Sequence, residues 1–215
     1  GRHENVRNGW CQIVLNGTRT ARGIDVDHRC GTAGIVRGDR RHHAGLNDLG
    51  WQVDGGDVYL PTILLAGNTP NSLIIRDDGI VGNGMSEFVL NGSAPVSFMT
   101  TSADLFLNGS SNNDTILIQS IDSSFTGEII VDGGDGDDLL DVDHSVAEVV
   151  TYNGQLGNDS LALQGRPVSS VTHRFTNASD GSVLVADSSS STVFYAGLEP
   201  IFDSIVATQR LFIFE

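Results

Sequence analysis

The sequence predicts an all-β chain wound as a parallel β-helix or β-roll-like solenoid, with about 21–24 residues per coil. Three observations predict it. Short runs rich in Val, Ile, Leu and Phe recur along the chain, several with period-two alternation. Asn-Gly and Asp-Gly dipeptides, which accept positive φ at low cost, stand between them. A motif of Gly, four turn residues, Asp, one spacer and an aliphatic returns at a nearly fixed interval.

The elements follow in order. Residues 12–15 (QIVL) are the one plausible strand of the first fifty. Residues 59–65 form an apolar run broken by Pro61. Then come 72–75 (SLII), 87–90 (EFVL), 104–107 (DLFL), 115–118 (TILI) and 128–131 (EIIV). Residues 139–142 (LLDV), 149–152 (VVTY), 160–163 (SLAL), 182–185 (SVLV) and 192–195 (TVFY) complete the series. Asn91-Gly92, Asn108-Gly109, Asp132-Gly133 and Asn153-Gly154 supply the turns. Residues 207–215 (ATQRLFIFE) end in a strongly apolar strand, expected either to cap the stack or to promote self-association if exposed. Twenty-six Gly against five Pro fit a chain that turns often and has no long helix.

Charge divides the 215 residues in two. The formal net charge is −15, and every basic residue is Arg. Residues 1–50 hold eight Arg and five acids; the remainder holds four Arg and twenty-two acids. We therefore read 1–51 as an atypical Arg- and His-rich segment (linker, cap or out-of-frame material) and 52–215 as the solenoid. An acidic chain is a poor partner for nucleic acid or an anionic membrane surface. No apolar run is long enough to insert in a membrane. The first twenty residues are polar and do not read as an export leader. The absence of Lys excludes Schiff-base chemistry. In the first segment Cys11, His28, Cys30, His42 and His43 are zinc-type ligands, although their spacing matches no zinc signature. A Cys11–Cys30 disulfide and two free thiols are the alternatives.

Three copies of the motif align: Gly109 to Leu117, Gly133 to Asp141 and Gly154 to Ala162. Their acids, Asp114, Asp138 and Asp159, step by 24 and then 21 residues. Asp180 is a weaker fourth candidate, and Ser72 and Glu87 are possible earlier ones. The second copy, Gly-Gly-Asp-Gly-Asp-Asp-Leu-Leu-Asp, resembles the nonapeptide of hemolysin-type (RTX) calcium-binding repeats, G-G-x-G-x-D-x-aliphatic-x. The third copy replaces the second Gly with Gln155, and the first keeps only Gly109, Asp114 and Ile116. That family repeats the nonapeptide in tandem, whereas these copies recur once per expected coil. A Tyr-x-Gly-Leu-Glu-Pro-Ile segment at 195–201 is similar to one in large repetitive bacterial surface or secreted proteins.

The resemblance implies calcium held between stacked turns in a secreted or cell-surface protein of structural or adhesive role. The chemistry agrees, because calcium takes six to eight hard oxygens. The candidate ligand set is Gly133, Asp135, Gly136, Asp137, Asp138, Asp141, Asn158 and Asp159. Asp132 adds a further carboxylate to the tract. A solvated acidic turn without an ion is the bland alternative.

An enzyme on the same scaffold is a second expectation: a calcium-dependent hydrolase or lyase for carbohydrate, ester or lactone, with His144 and Asp141, or His173 and Asp180, as candidate acid–base pairs. A carbohydrate-binding module is a third. Expected partners are calcium ions, carbohydrate or neighbouring coils of a longer chain, and a second copy through the C-terminal strand.

Overall fold

A computed structural model describes residues 11–20, 23–30, 62–100 and 104–215. The expected boundary at residue 51, the start of the 59–65 run, and His42 and His43 lie outside these residues. The described chain is all-β, without a helix, and its two mixed sheets do not close.

Numbered along the chain, the larger sheet has ten strands. Its order is β17 (Ala207–Phe214), β13 (Val168–Phe175), β14 (Gly181–Ala186), β15 (Ser190–Ala196), β11 (Val149–Asn153), β9 (Ile129–Asp132), β7 (Leu105–Asn108), β3 (Thr62–Ala66), β1 (Cys11–Thr20) and β2 (Gly23–Cys30). The smaller sheet has seven: β16 (Leu198–Asp203), β12 (Asp159–Gln164), β10 (Leu139–Asp143), β8 (Thr115–Ile118), β4 (Ser72–Asp77), β5 (Met85–Leu90) and β6 (Val96–Met99). From β7 to β12 the chain alternates between the sheets, so each strand pairs in parallel with the next but one.

The register keeps the motif's spacing. Leu105 lies beside Ile129 and Thr115 beside Leu139, the same 24-residue offset that separates Asp114 from Asp138. Ile129 then pairs with Val150's neighbourhood through the Ile129–Val150 rung, and Leu139 pairs with Ser160, at the 21-residue offset of Asp138 and Asp159. Because the offset is conserved within each turn, like side chains stack. Leu73, Ile116, Leu140 and Leu161 form one buried column, and Ile75, Ile118, Val142 and Leu163 a second. Across the core, Leu105, Ile129, Val150 and Val193 stack, as do Leu107, Val131, Tyr152 and Tyr195. Burying each aliphatic stabilises the fold by about 1.5–3 kcal/mol before chain entropy is counted.

Two antiparallel excursions interrupt the alternation: β5 and β6 follow β4, and β13 and β14 precede β15. The sequence pattern did not predict β2, β6, β13 or β16. β6 has four residues and follows Pro95. β13 (VSSVTHRF) carries mostly polar side chains between its two valines, yet Val171 and His173 are buried. β16 contains Pro200, which an edge strand tolerates.

β17 is an edge of the larger sheet. Phe212 stacks on His173 at 5.1 Å and Phe214 on Phe175 at 5.0 Å, but Phe212 remains 54% and Phe214 78% exposed. At this end Asp203 joins three strands: it bonds His173 Nε2 at 2.9 Å, Arg210 Nη2 at 3.1 Å and the Ile205 amide at 2.9 Å. We expect Asp203→Ala to lower stability by about 2–4 kcal/mol, read from urea denaturation, because it leaves the buried His173 without its acceptor and removes the ion-pair partner of Arg210.

A buried carboxylate ladder as the candidate functional site

The three aligned motifs come together as stacked turns entering β8, β10 and β12. Asp114, Asp138 and Asp159 are 2%, 3% and 0% exposed, so their carboxylates need internal partners. They find them one repeat away. Asp159 Oδ1 accepts the Asp138 amide at 2.8 Å, and Asp138 Oδ1 accepts the Asp114 amide at 2.6 Å. Asp114 Oδ1 accepts both the Asn71 amide at 2.8 Å and its side-chain Nδ2 at 3.0 Å. Each acid thus binds the backbone of the acid before it, and Asn71 closes the ladder.

Asn71, rather than Ser72 or Glu87, is the earlier member. It immediately precedes β4, where Ser72 pairs with Thr115. Glu87 lies on the antiparallel β5 and bonds Arg76. Asp180 is not the fourth rung: Leu198 occupies the register position beside Asp159. Asp180 instead reaches from the β13–β14 turn to the Gly197 amide at 2.9 Å.

A second, exposed ladder runs one residue earlier. Asn113 Oδ1 accepts the Asp137 amide at 3.0 Å, and Asp137 Oδ1 accepts the Asn158 amide at 2.9 Å. The signal for both ladders was the recurring Asn/Asp-Asp pair before each aliphatic strand: 113–114, 137–138 and 158–159.

The glycines fit this stacking sterically. A Cβ on Gly133 would sit 2.7 Å from Asp138 Oδ2, and one on Gly154 2.5 Å from Asp159 Oδ2. The carboxylate folds back into the space a side chain would fill. A Cβ on Gly157 would lie 1.8 Å from the Gly136 carbonyl oxygen of the neighbouring turn.

The second carboxylate oxygens differ along the ladder. Asp114 Oδ2 accepts the Ser110 amide at 2.6 Å. Asp138 Oδ2 and Asp159 Oδ2 are buried with no hydrogen-bond partner among the described residues, as are Asp132 Oδ1 and Asp141 Oδ1. Burial pushes the Asp138 carboxyl up to about 7; the bond from the Asp114 amide opposes this, while the charges of Asp114, Asp159 and Asp137 add to it. Burial also raises Asp159 and Asp141. Tyr152, which the sequence did not mark as a site residue, stands in its core column with a buried hydroxyl that has no partner among the described residues. Burial raises its pKa, as do the charges of Asp159, Asp138 and Asp132.

The expected ligand set therefore divides. Asp138 and Asp159 face inward as ladder rungs. Asp135, Asp137 and Asn158 stand on the exposed rim, and Gly133 and Gly136 are stacking positions. Asp141 lies in β10 between the buried Leu140 and Val142, on the opposite strand face from them. Among the described residues no three His, Cys, Asp or Glu side chains converge as a metal site.

The acid–base candidates also fall apart. His144 Nε2 lies 3.2 Å from the Arg166 carbonyl oxygen and makes no bond to Asp141. His173 pairs with Asp203, not Asp180. The adjoining cavity, of about 460 Å³, is lined by no Ser, Thr or Cys nucleophile. One further buried acid escaped the sequence reading. Asp122 accepts the Gly82 and Asn83 amides at 2.8 and 3.1 Å and so anchors the β4–β5 turn.

The chain matches no protein-family model, no curated protein and no solved structure.

Proposed function

We propose that this chain is a calcium-binding, calcium-stabilised β-solenoid module of a secreted or cell-surface protein, structural or adhesive in role. The observation that carries the reading is the set of four buried carboxylate oxygens without hydrogen-bond partners among the described residues, on Asp132, Asp138, Asp141 and Asp159, in a chain of net charge −15. Such charge favours a nearby cation or proton. The conserved coil offsets support the solenoid, and the glycine-rich turns support the resemblance to hemolysin-type repeats.

The rim is where calcium fits best. Asp135, the second oxygen of Asp137, the Asn158 side chain and turn carbonyls are oxygen donors of the kind calcium takes. Asp138 and Asp159 lie behind them, already bonded to backbone, and add negative potential. Calcium at the rim offsets that potential, so its binding energy appears as folding stability.

A thermal melt in excess EGTA, then in calcium and separately in magnesium, tests this. Calcium at about 100 times its Kd is expected to raise Tm by roughly 5–10 °C, with magnesium much less effective. The Asp135→Ala/Asp137→Ala double variant should keep most of its melting temperature in EGTA and lose the calcium increment. A melt unchanged by calcium contradicts the calcium reading.

The partner we propose for the exposed aromatic edge is a second copy, paired through β17. This edge carries neither Pro nor Lys, and Leu211, Phe212 and Phe214 are 48%, 54% and 78% exposed. Light scattering should show concentration-dependent association that Phe212→Lys reduces.

A further inference from the structure

The chain has two cysteines, and both lie in the first hairpin. Cys11 opens β1 and Cys30 closes β2. In the antiparallel ladder they are direct partners, followed by Gln12 with Arg29 and Ile13 with His28. Directly opposed residues share a face, with α-carbons about 4.5–5.5 Å apart. A disulfide spans α-carbon separations of about 4.4–6.8 Å. The register therefore brings the two together within that span.

We propose that Cys11 and Cys30 form a cross-strand disulfide closing the open end of the β1–β2 hairpin. Among the described residues β2 is the terminal strand of the ten-stranded sheet. A covalent link at that position ties the start of β1 to the end of β2. Zinc is the competing occupant, because His28 lies two register positions from the Cys11–Cys30 pair. That gives three zinc-type residues near the open end of the hairpin. A structural zinc site takes four, while a disulfide takes two, which the register sets in direct opposition.

The chemistry is thiol–disulfide exchange with a small-molecule or protein disulfide as oxidant. One thiolate attacks the oxidant's S–S bond and forms a mixed disulfide. The second then displaces the remaining oxidant thiol. One S–S bond forms in the chain, one breaks in the oxidant, and the two cysteine protons pass to solvent or to the departing thiolates. The inference is independent of calcium.

The test uses the full chain, purified with EDTA and equilibrated with oxidised glutathione, then exposed to iodoacetamide under denaturing conditions. No alkylation is expected before reduction, and both thiols should be alkylated after it. A non-reducing peptide map should join the fragments carrying Cys11 and Cys30. The Cys11→Ser and Cys30→Ser variants lack the resolving thiol and should each stop as the mixed disulfide, seen as one added glutathione in the intact mass. Two reactive thiols after oxidation overturn the proposal. So does a chain purified without chelator that retains stoichiometric zinc and resists oxidation until the zinc is removed.

Discussion

Gly157→Ala is expected to destabilise the protein by more than about 3 kcal/mol, measured by urea denaturation in EGTA. Gly157 has φ of +149°, a region L-residues rarely adopt, and its missing Cβ would meet the Gly136 carbonyl at 1.8 Å. The obstacle is backbone of the adjacent turn, so no rotamer change relieves it. The two turns must separate, and the ladder between Asp138 and Asp159 weakens with them. Gly92→Ala is the control. Gly92 also has positive φ, +68°, but open space surrounds its Cβ position. It should lose only about 1 kcal/mol, the strain of the left-handed backbone alone. Equal losses at the two positions would remove close stacking as the reason for the repeat's glycines.

The second large effect concerns Asp138. Asp138→Ala leaves the buried Asp114 amide without an acceptor and opens space beside Gly133, and should cost about 2–4 kcal/mol. Asp138→Asn keeps an acceptor for that amide and removes the charge, so it should match or exceed the parent at neutral pH. The pH dependence has a definite sign. The folded-state pKa of about 7 lies above the ordinary 3.8, so the folded chain holds this proton more tightly than the unfolded one. The resulting stabilisation is complete below the unfolded value and is lost as pH rises towards 7. Asp141 and Asp159 are raised and act in the same direction. Asp122, Asp180 and Asp187 are lowered by hydrogen bonds, first from Ser124, Asn177 and Arg166 respectively, and lose their contribution only under more acid conditions. In EGTA the melting temperature should therefore fall between about pH 5 and pH 8, and Asp138→Asn should flatten that fall. A melt that rises over this interval, or an unaltered slope in the Asn variant, contradicts a buried, proton-favouring Asp138.

The all-β strands and much of their pairing were legible because the repeat offset is nearly constant. The same spacing that aligns Gly109, Gly133 and Gly154 places Leu107 beside Val131 and Ile116 beside Leu140. Strands with inward aliphatics at alternate positions announced themselves, as in Thr115–Ile118. β13 and β16 did not, since their burial depends on partners distant in sequence: His173 on Asp203, and Leu198 on β12. The motif acids were legible as a group, but their division was not. Asp137 and Asp138 are adjacent and chemically identical, yet one stands on the rim and the other is a buried rung. Only the alternation of side-chain direction at the start of β10 separates them, and turn backbone does not keep a strand's period. Asp180 matched the 21-residue step but sits on an antiparallel hairpin, where the repeat offset no longer applies.

Each of the buried carboxylates Asp138 and Asp159 holds the backbone of the preceding repeat. Amide hydrogen exchange, resolved by residue in the parent and in Asp159→Ala and Asp138→Ala, tests it most directly. In the parent, the Asp114 and Asp138 amides should be protected like core strand amides. Asp159→Ala should release the Asp138 amide, and Asp138→Ala the Asp114 amide, each more than its neighbours in β10 and β8. Asp138 and Asp114 amides that exchange as freely as unbonded turn amides in the parent, or that keep their protection in both variants, would contradict the ladder.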